Sequence, residues 1–93
     1  MKFKYSALQI NAYMTVTSST QCACPVRVCG SIIDLRELHD HQLSCMTDAM
    51  GDQKTHGVIA RATQEAHAIL EDCLTEILKI EGIDPCMLPI PSV

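Results

Sequence analysis

Cysteine and histidine are the residues of this sequence whose chemistry is most distinctive, because both ligate zinc and thiolates also react with oxidants. The chain has 93 residues, with six cysteines and four histidines. His41 and Cys45 stand four residues apart, so one helix would place them on the same face. Further cysteines lie shortly before them. The sequence therefore allows a tetrahedral zinc site whose ligands would be Cys24, Cys29, His41 and Cys45.

Two other interpretations of the cysteines compete with zinc. Cys45 and Cys73 fall on apolar stripes, where a reduced cysteine packs as a small hydrophobic side chain. The segment 22–30 holds three cysteines that could supply one redox-active pair. A full disulfide framework is not expected, because the sequence shows no secretory signal and favours the cytoplasm or another reducing compartment. The cofactor is therefore either Zn²⁺ or none.

Catalytic motifs do not occur in the sequence: it has no nucleophile elbow, phosphate-binding loop or dinucleotide fingerprint. His39, Asp40 and His41 are adjacent, and adjacent residues point apart on a helix, which favours a solvated face over an acid–base pair. A chain this short has little scaffold for a large pocket. We expect a non-enzymatic protein, and no apolar run is long enough to indicate a membrane span.

Charge is unevenly distributed along the chain. Residues 1–30 carry three basic and no acidic residues, whereas residues 31–93 carry all eleven acidic residues and four basic ones. A basic arm can be attracted to an anionic partner, but the net charge of -4 disfavours nucleic acid.

Residues 8–17 alternate strictly between apolar and polar side chains, a pattern typical of a half-buried strand. A single strand leaves its amides and carbonyls unpaired, so it needs a partner strand. That partner could be the stretch Val26–Val28 or the same strand of a second subunit. We predict an N-terminal β-strand or extended arm over residues 1–21, and a leading helix or a flexible arm is the alternative.

Two antiparallel helices are predicted to follow the cysteine-rich loop at residues 22–30. Ser31 and Asp34 resemble a capping box that begins a helix ending near residue 47, and a start at Pro25 is the alternative. The second helix runs from about residue 54 to residue 81, where Gly82 would end it. The fold class is mostly α: one small domain of strand or arm plus a helical hairpin at residues 31–82.

The apolar stripe of the second predicted helix is wider than one neighbouring helix can cover. We therefore expect a homodimer or a helical protein partner. The predicted interface consists of Ile59, Ala62, Ala66, Ile69, Leu70, Cys73, Leu74 and Ile77. The proline-rich tail at residues 83–93 either caps the helix pair or presents an extended segment to a partner, and we favour capping.

The order of strand, helix and helix resembles that of the ribbon-helix-helix repressors, whose paired strands enter the major groove of DNA. The resemblance implies a DNA-binding transcriptional regulator. It assigns base contacts to Gln9, Asn11 and Tyr13 and phosphate contacts to Lys2 and Lys4. The sequence departs from the family through a long insertion at residues 18–30 and a longer second helix.

The order of the cysteines and helices is also similar to that of the helical regulatory regions of fungal zinc-cluster transcription factors. Cys22 and Cys24 precede the first helix, while Cys73 and Cys86 lie in and after the second. The six-cysteine DNA-binding cluster of that family is absent from the sequence.

Three function classes therefore remain. The leading hypothesis is a small regulatory or interaction module that self-associates through its long amphipathic helix. The alternatives are DNA binding through the N-terminal strand, and a zinc-binding or thiol redox-sensing protein.

Overall fold

The computed structural model describes residues 1–17, 22–47 and 53–88, except for the side chains of residues 46 and 47. Residues 18–21, residues 48–52 and the last five residues of the predicted tail lie outside these ranges. The elements are α1 (Ala7–Thr17), α2 (Cys24–Thr47), α3 (Gln53–Glu81) and a 3₁₀ turn (Pro85–Met87). None of these helices is long and apolar enough to cross a membrane.

The N-terminal strand prediction is wrong, because residues 7–17 form the helix α1. Ile10, Tyr13 and Thr17 are buried, and their spacing of three and four is helical. The alternating pattern misleads because Tyr13 counts as polar in it. Here its ring is fully buried and its hydroxyl donates to Glu81 Oε1 at 2.6 Å. Because tyrosine has an apolar ring and a polar hydroxyl, it can lie on either the apolar or the polar face of an element.

A capping box fixes the start of α1. The Gln9 amide donates to Ser6 Oγ at 3.1 Å, and the Ser6 amide donates to Gln9 Oε1 at 2.9 Å. These reciprocal bonds satisfy two amides that would otherwise lack helical partners. Residues 1–6, called here the N-terminal segment, therefore leave the helix at a defined point.

The helix α2 begins at Cys24, so the predicted cysteine-rich loop is mostly helical. Pro25 suits the first turn of a helix, where its missing amide hydrogen costs nothing. The earlier of the two predicted starts is therefore the observed one, with Gly30 in the helix interior.

The helix α3 ends where the sequence predicts. Gly82 has a φ of 70°, a conformation that glycine adopts without strain. Its amide donates to the Lys79 carbonyl at 3.2 Å, and the Ile83 amide donates to the Leu78 carbonyl at 2.9 Å. These two bonds form a Schellman motif.

The apolar core lies at one end of the antiparallel α2–α3 pair, where α1 packs against both. It is formed by Tyr5, Ile10, Tyr13, Cys29, Ile32, Leu74, Leu78 and Leu88. Leu88 belongs to the tail, and Gln9 Nε2 donates to the Pro85 carbonyl at 3.2 Å. The described part of the tail therefore caps the helix pair, as favoured from the sequence.

Ile32 and Leu43 provide a matched test of this core, because both lie on α2 but only Ile32 is fully buried. We expect Ile32→Ala to lower the free energy of unfolding by about 2–5 kcal/mol, since it leaves a cavity. Leu43→Ala should change it by less than about 0.5 kcal/mol. Urea denaturation followed by circular dichroism measures both, and equal effects would contradict this placement of the core.

Candidate functional site

A cluster of charged side chains is buried midway along the α2–α3 pair. Arg36 of α2 meets His67 and Glu71 of α3, and these residues are 8%, 1% and 4% exposed. His67 and Glu71 share one face of α3 because they are four residues apart. Buried charges are uncommon unless they are paired and hydrogen-bonded. We call these three residues the charged cluster.

The guanidinium of Arg36 joins the parts of the charged cluster. Its Nε donates to His67 Nε2 at 2.9 Å, and its Nη2 donates to Glu71 Oε2 at 3.2 Å and to the Tyr5 carbonyl at 2.6 Å. The Phe3 ring lies against the guanidinium, with 3.7 Å between Cζ and the ring centroid. One side chain thus binds both α3 and the N-terminal segment.

His67 takes part in its neutral form. Arg36 Nε can only donate, so His67 Nε2 accepts, and the ring proton lies on Nδ1, which is 3.5 Å from Glu71 Oε1. The pKa of His67 is lowered chiefly by burial and also by the positive charge of Arg36, with Glu71 acting in the opposite direction. Protonation would place a hydrogen against the Arg36 donor.

Glu71 holds the main chain of the N-terminal segment. Its Oε2 accepts from the Lys4 amide at 2.7 Å and from the Tyr5 amide at 3.1 Å. Two side-chain contacts flank these bonds: Lys4 Nζ lies 2.8 Å from Asp72 Oδ1, and the Tyr5 and Thr75 hydroxyls are hydrogen-bonded. The charged cluster therefore binds a bent stretch of peptide main chain through two consecutive amides and a carbonyl.

The predicted zinc ligands are not brought together within the chain. All four lie on α2, where Cys29 and His41 are twelve residues apart, or about 18 Å along the axis. Cys24 is exposed, while Cys29 is in the core, where burial raises its pKa to about 11. His41 Nε2 and Cys45 Sγ are 3.6 Å apart. Among the described residues, no group of three or more possible ligands could hold a metal ion.

Two of the cysteines that could form a redox pair, Cys22 and Cys24, contact each other. Cys22 Sγ accepts a hydrogen bond from the Cys24 amide at 3.5 Å, and this bond lowers the pKa of the Cys22 thiol. The described cysteines form no disulfide.

The three side chains assigned to base contacts no longer share one face once residues 7–17 are helical, because Asn11 points away from Gln9 and Tyr13. Tyr13 is buried and Gln9 is engaged within the protein, whereas Asn11 is exposed. Lys4 is paired with Asp72, and Lys2 is exposed. The strand that the ribbon-helix-helix resemblance requires is therefore replaced by a helix.

The predicted interface on α3 is divided by the observed rotation of the helix. Leu74 is in the core, whereas Ala62 and Ile69 are exposed. The remaining predicted interface residues are half-buried: Ile59, Ala66, Leu70, Cys73 and Ile77. The helix turns a polar row, Thr63, His67 and Glu71, towards α2. This row is not among the residues predicted from the sequence, although its spacing of four is a helical signal.

The prediction of a solvated face for His39, Asp40 and His41 is wrong for His39. The side chain of His39 is buried, and its Nε2 is 3.1 Å from Gln64 Nε2. Asp40 and His41 are exposed, as expected.

Comparison of this chain with protein-family models, with curated proteins and with solved structures finds no match.

The lowered pKa of His67 predicts how stability depends on pH. The unfolded chain takes up a proton near pH 6.5, while folded His67 resists protonation, so the free energy of unfolding falls as the pH drops below about 6.5. His67→Gln retains an acceptor for Arg36 and should flatten this dependence. Urea denaturation from pH 7.5 to 5 measures it, with exposed His41→Gln as the control. Equal slopes for wild type and His67→Gln would contradict the role of His67.

Removal of Arg36 tests the pairing in the charged cluster. Arg36→Met leaves Glu71 buried without its cation and should lower the free energy of unfolding by about 3–5 kcal/mol, whereas exposed Arg27→Met should have little effect. Arg36→Met combined with Glu71→Leu should cost less than the sum of the two single changes. Additive effects in chemical denaturation would contradict the pairing.

Proposed function

We propose that this chain is a non-enzymatic interaction module that self-associates through the outward face of α3. The observation that carries the proposal is the exposure of large apolar side chains on that face: Val58, Ile69 and Ile80 are 52%, 67% and 83% exposed. These residues lie on the side of α3 that faces away from α2. Large apolar side chains exposed along one face of a helix and bordered by polar residues are a feature of interaction sites.

The apolar residues of this face recur every eleven positions. Val58, Ile69 and Ile80 form one such series, Ala62 and Cys73 a second, and Ala66 and Ile77 a third. We call these seven residues the outward α3 face. An eleven-residue repeat closely matches the helical turn, so the face stays nearly straight for about 33 Å. A straight apolar face suits a second straight helix.

The order of side-chain sizes supports an antiparallel second copy as the occupant. An antiparallel pair centred on Ile69 places Val58 opposite Ile80 of the other copy. The smaller exposed side chain near the start of α3 then meets the larger one near its end, which favours even packing along the pair. Ile69 meets Ile69 on the twofold axis, as an isologous interface requires.

Charge supports the same orientation. The antiparallel arrangement brings Arg61 of one copy near Glu76 of the other, whereas a parallel arrangement would oppose Arg61 to Arg61. Both residues are exposed and border the outward α3 face. Like charges across an interface disfavour the wrong orientation.

Light scattering coupled to size exclusion tests this proposal. Wild type should be dimeric in the micromolar range, and Ile69→Glu should weaken dimerisation by at least about tenfold, because it places two carboxylates on the twofold axis. Leu43→Glu is the matched control, since Leu43 is an exposed apolar residue of α2 and its variant should remain dimeric.

A charge exchange tests the orientation. Arg61→Glu should weaken the dimer, and adding Glu76→Arg should restore it. A wild-type chain that remains monomeric at about 200 µM would contradict the proposal. So would an equal loss of dimer in Ile69→Glu and Leu43→Glu.

A further inference from the structure

The N-terminal segment is held by contacts that are largely independent of its sequence. Glu71 accepts from the Lys4 and Tyr5 amides, and Arg36 donates to the Tyr5 carbonyl. A peptide that bends in the same way presents the same main-chain groups. The residues that hold it line a groove between α2 and α3, which we call the segment groove: Arg36, His67, Glu71, Asp72 and Thr75.

The side chains of the segment define what the groove selects. Phe3 lies against Arg36 and His67, and its ring centroid is 5.4 Å from that of His67. Lys4 pairs with Asp72, and Tyr5 is buried beside Thr75. The segment groove thus fits an aromatic, a basic and an aromatic residue in succession.

The N-terminal segment leaves one hydrogen-bond donor of the segment groove unpaired and some of the space beside the groove unfilled. Arg36 Nη1 is buried and, within the described ranges, has no hydrogen-bond partner, which is costly for a charged donor. A cavity of about 370 Å³ also borders His67, between Gln64 and Ala68 on one side and Met1 and Lys2 on the other. A different peptide has both an unused donor and unfilled volume to exploit.

We propose that the segment groove is a recognition site for an aromatic–basic–aromatic segment of a partner protein, which bends as residues 3–5 do and displaces them. A second copy of this chain is the poorer occupant, because its segment is identical to one already tethered at high effective concentration. A partner competes only by binding better, and the unpaired Arg36 donor and the cavity allow it to do so. Ser6 marks where the displaced segment separates from α1.

The first experiment frees the groove without altering its walls. Phe3→Ala and Lys4→Ala change two exposed side chains of the segment in the full chain. A fluorescent peptide with the sequence of residues 1–6 is then titrated by anisotropy. We expect the double variant to bind it at least about tenfold more tightly than wild type, because the tethered competitor is weakened. Adding Asp72→Asn should weaken this binding several-fold, and a scrambled peptide should not bind.

A second measurement uses the unaltered chain, so it does not depend on the folding of a variant. Peptide at a concentration above the effective concentration of the tethered segment, which is of millimolar order for a short tether, should speed hydrogen exchange at the Lys4 and Tyr5 amides, because these amides lose Glu71 when they are displaced. Unchanged exchange at millimolar peptide, or equal binding to wild type and the double variant, would overturn the proposal.

Light scattering separates a partner from a second copy. Ile69→Glu removes the centre of the outward α3 face without touching the segment groove. If this variant still forms dimers that the peptide dissociates, the occupant is a second copy and the assignment to a partner protein is overturned. If the variant stays monomeric and the peptide speeds hydrogen exchange at its Lys4 and Tyr5 amides, the assignment to a partner protein is supported. This holds even if α3 does not form dimers in the wild type.

Discussion

The buried pairing of Arg36 with Glu71 is the interaction on which the rest of the structure depends. A carboxylate enters a protein interior only when cations and hydrogen-bond donors meet it. Glu71 has Arg36 Nη2 at 3.2 Å and two main-chain amides at 2.7 and 3.1 Å. Satisfying this carboxylate requires α2, α3 and the N-terminal segment at once, so one group ties three parts of the chain together.

This pairing also sets the rotation of α3 about its own axis. Burying Thr63, His67 and Glu71 against α2 turns Val58, Ile69 and other apolar residues of α3 to the outside. The core at the other end, built around Leu74 and Leu78, is compatible with the same rotation. The polar interior and the apolar exterior of α3 are therefore two consequences of one constraint.

Local chemistry explains what the sequence predicts well and what it does not. The end of α3 at Gly82 depends on neighbouring residues, so it can be predicted from sequence alone. The helix α1 could have been found from Ser6 and Gln9, but the alternation around Tyr13 favoured a strand. The charged cluster joins Arg36 to residues 31 and 35 positions away. A helical pattern cannot reveal which distant cation will bury Glu71, so the rotation of α3 was not predictable.

Nuclear Overhauser effects in the isotope-labelled protein test this rotation most directly. We expect Overhauser contacts from the Phe3 ring to both Arg36 and His67, and none from the Ile69 methyl groups to α2. Contacts between Ile69 and α2, with Glu71 exposed to solvent, would mean that α3 is rotated the other way. The charged cluster would then not organise the fold, and the outward α3 face would be part of its core.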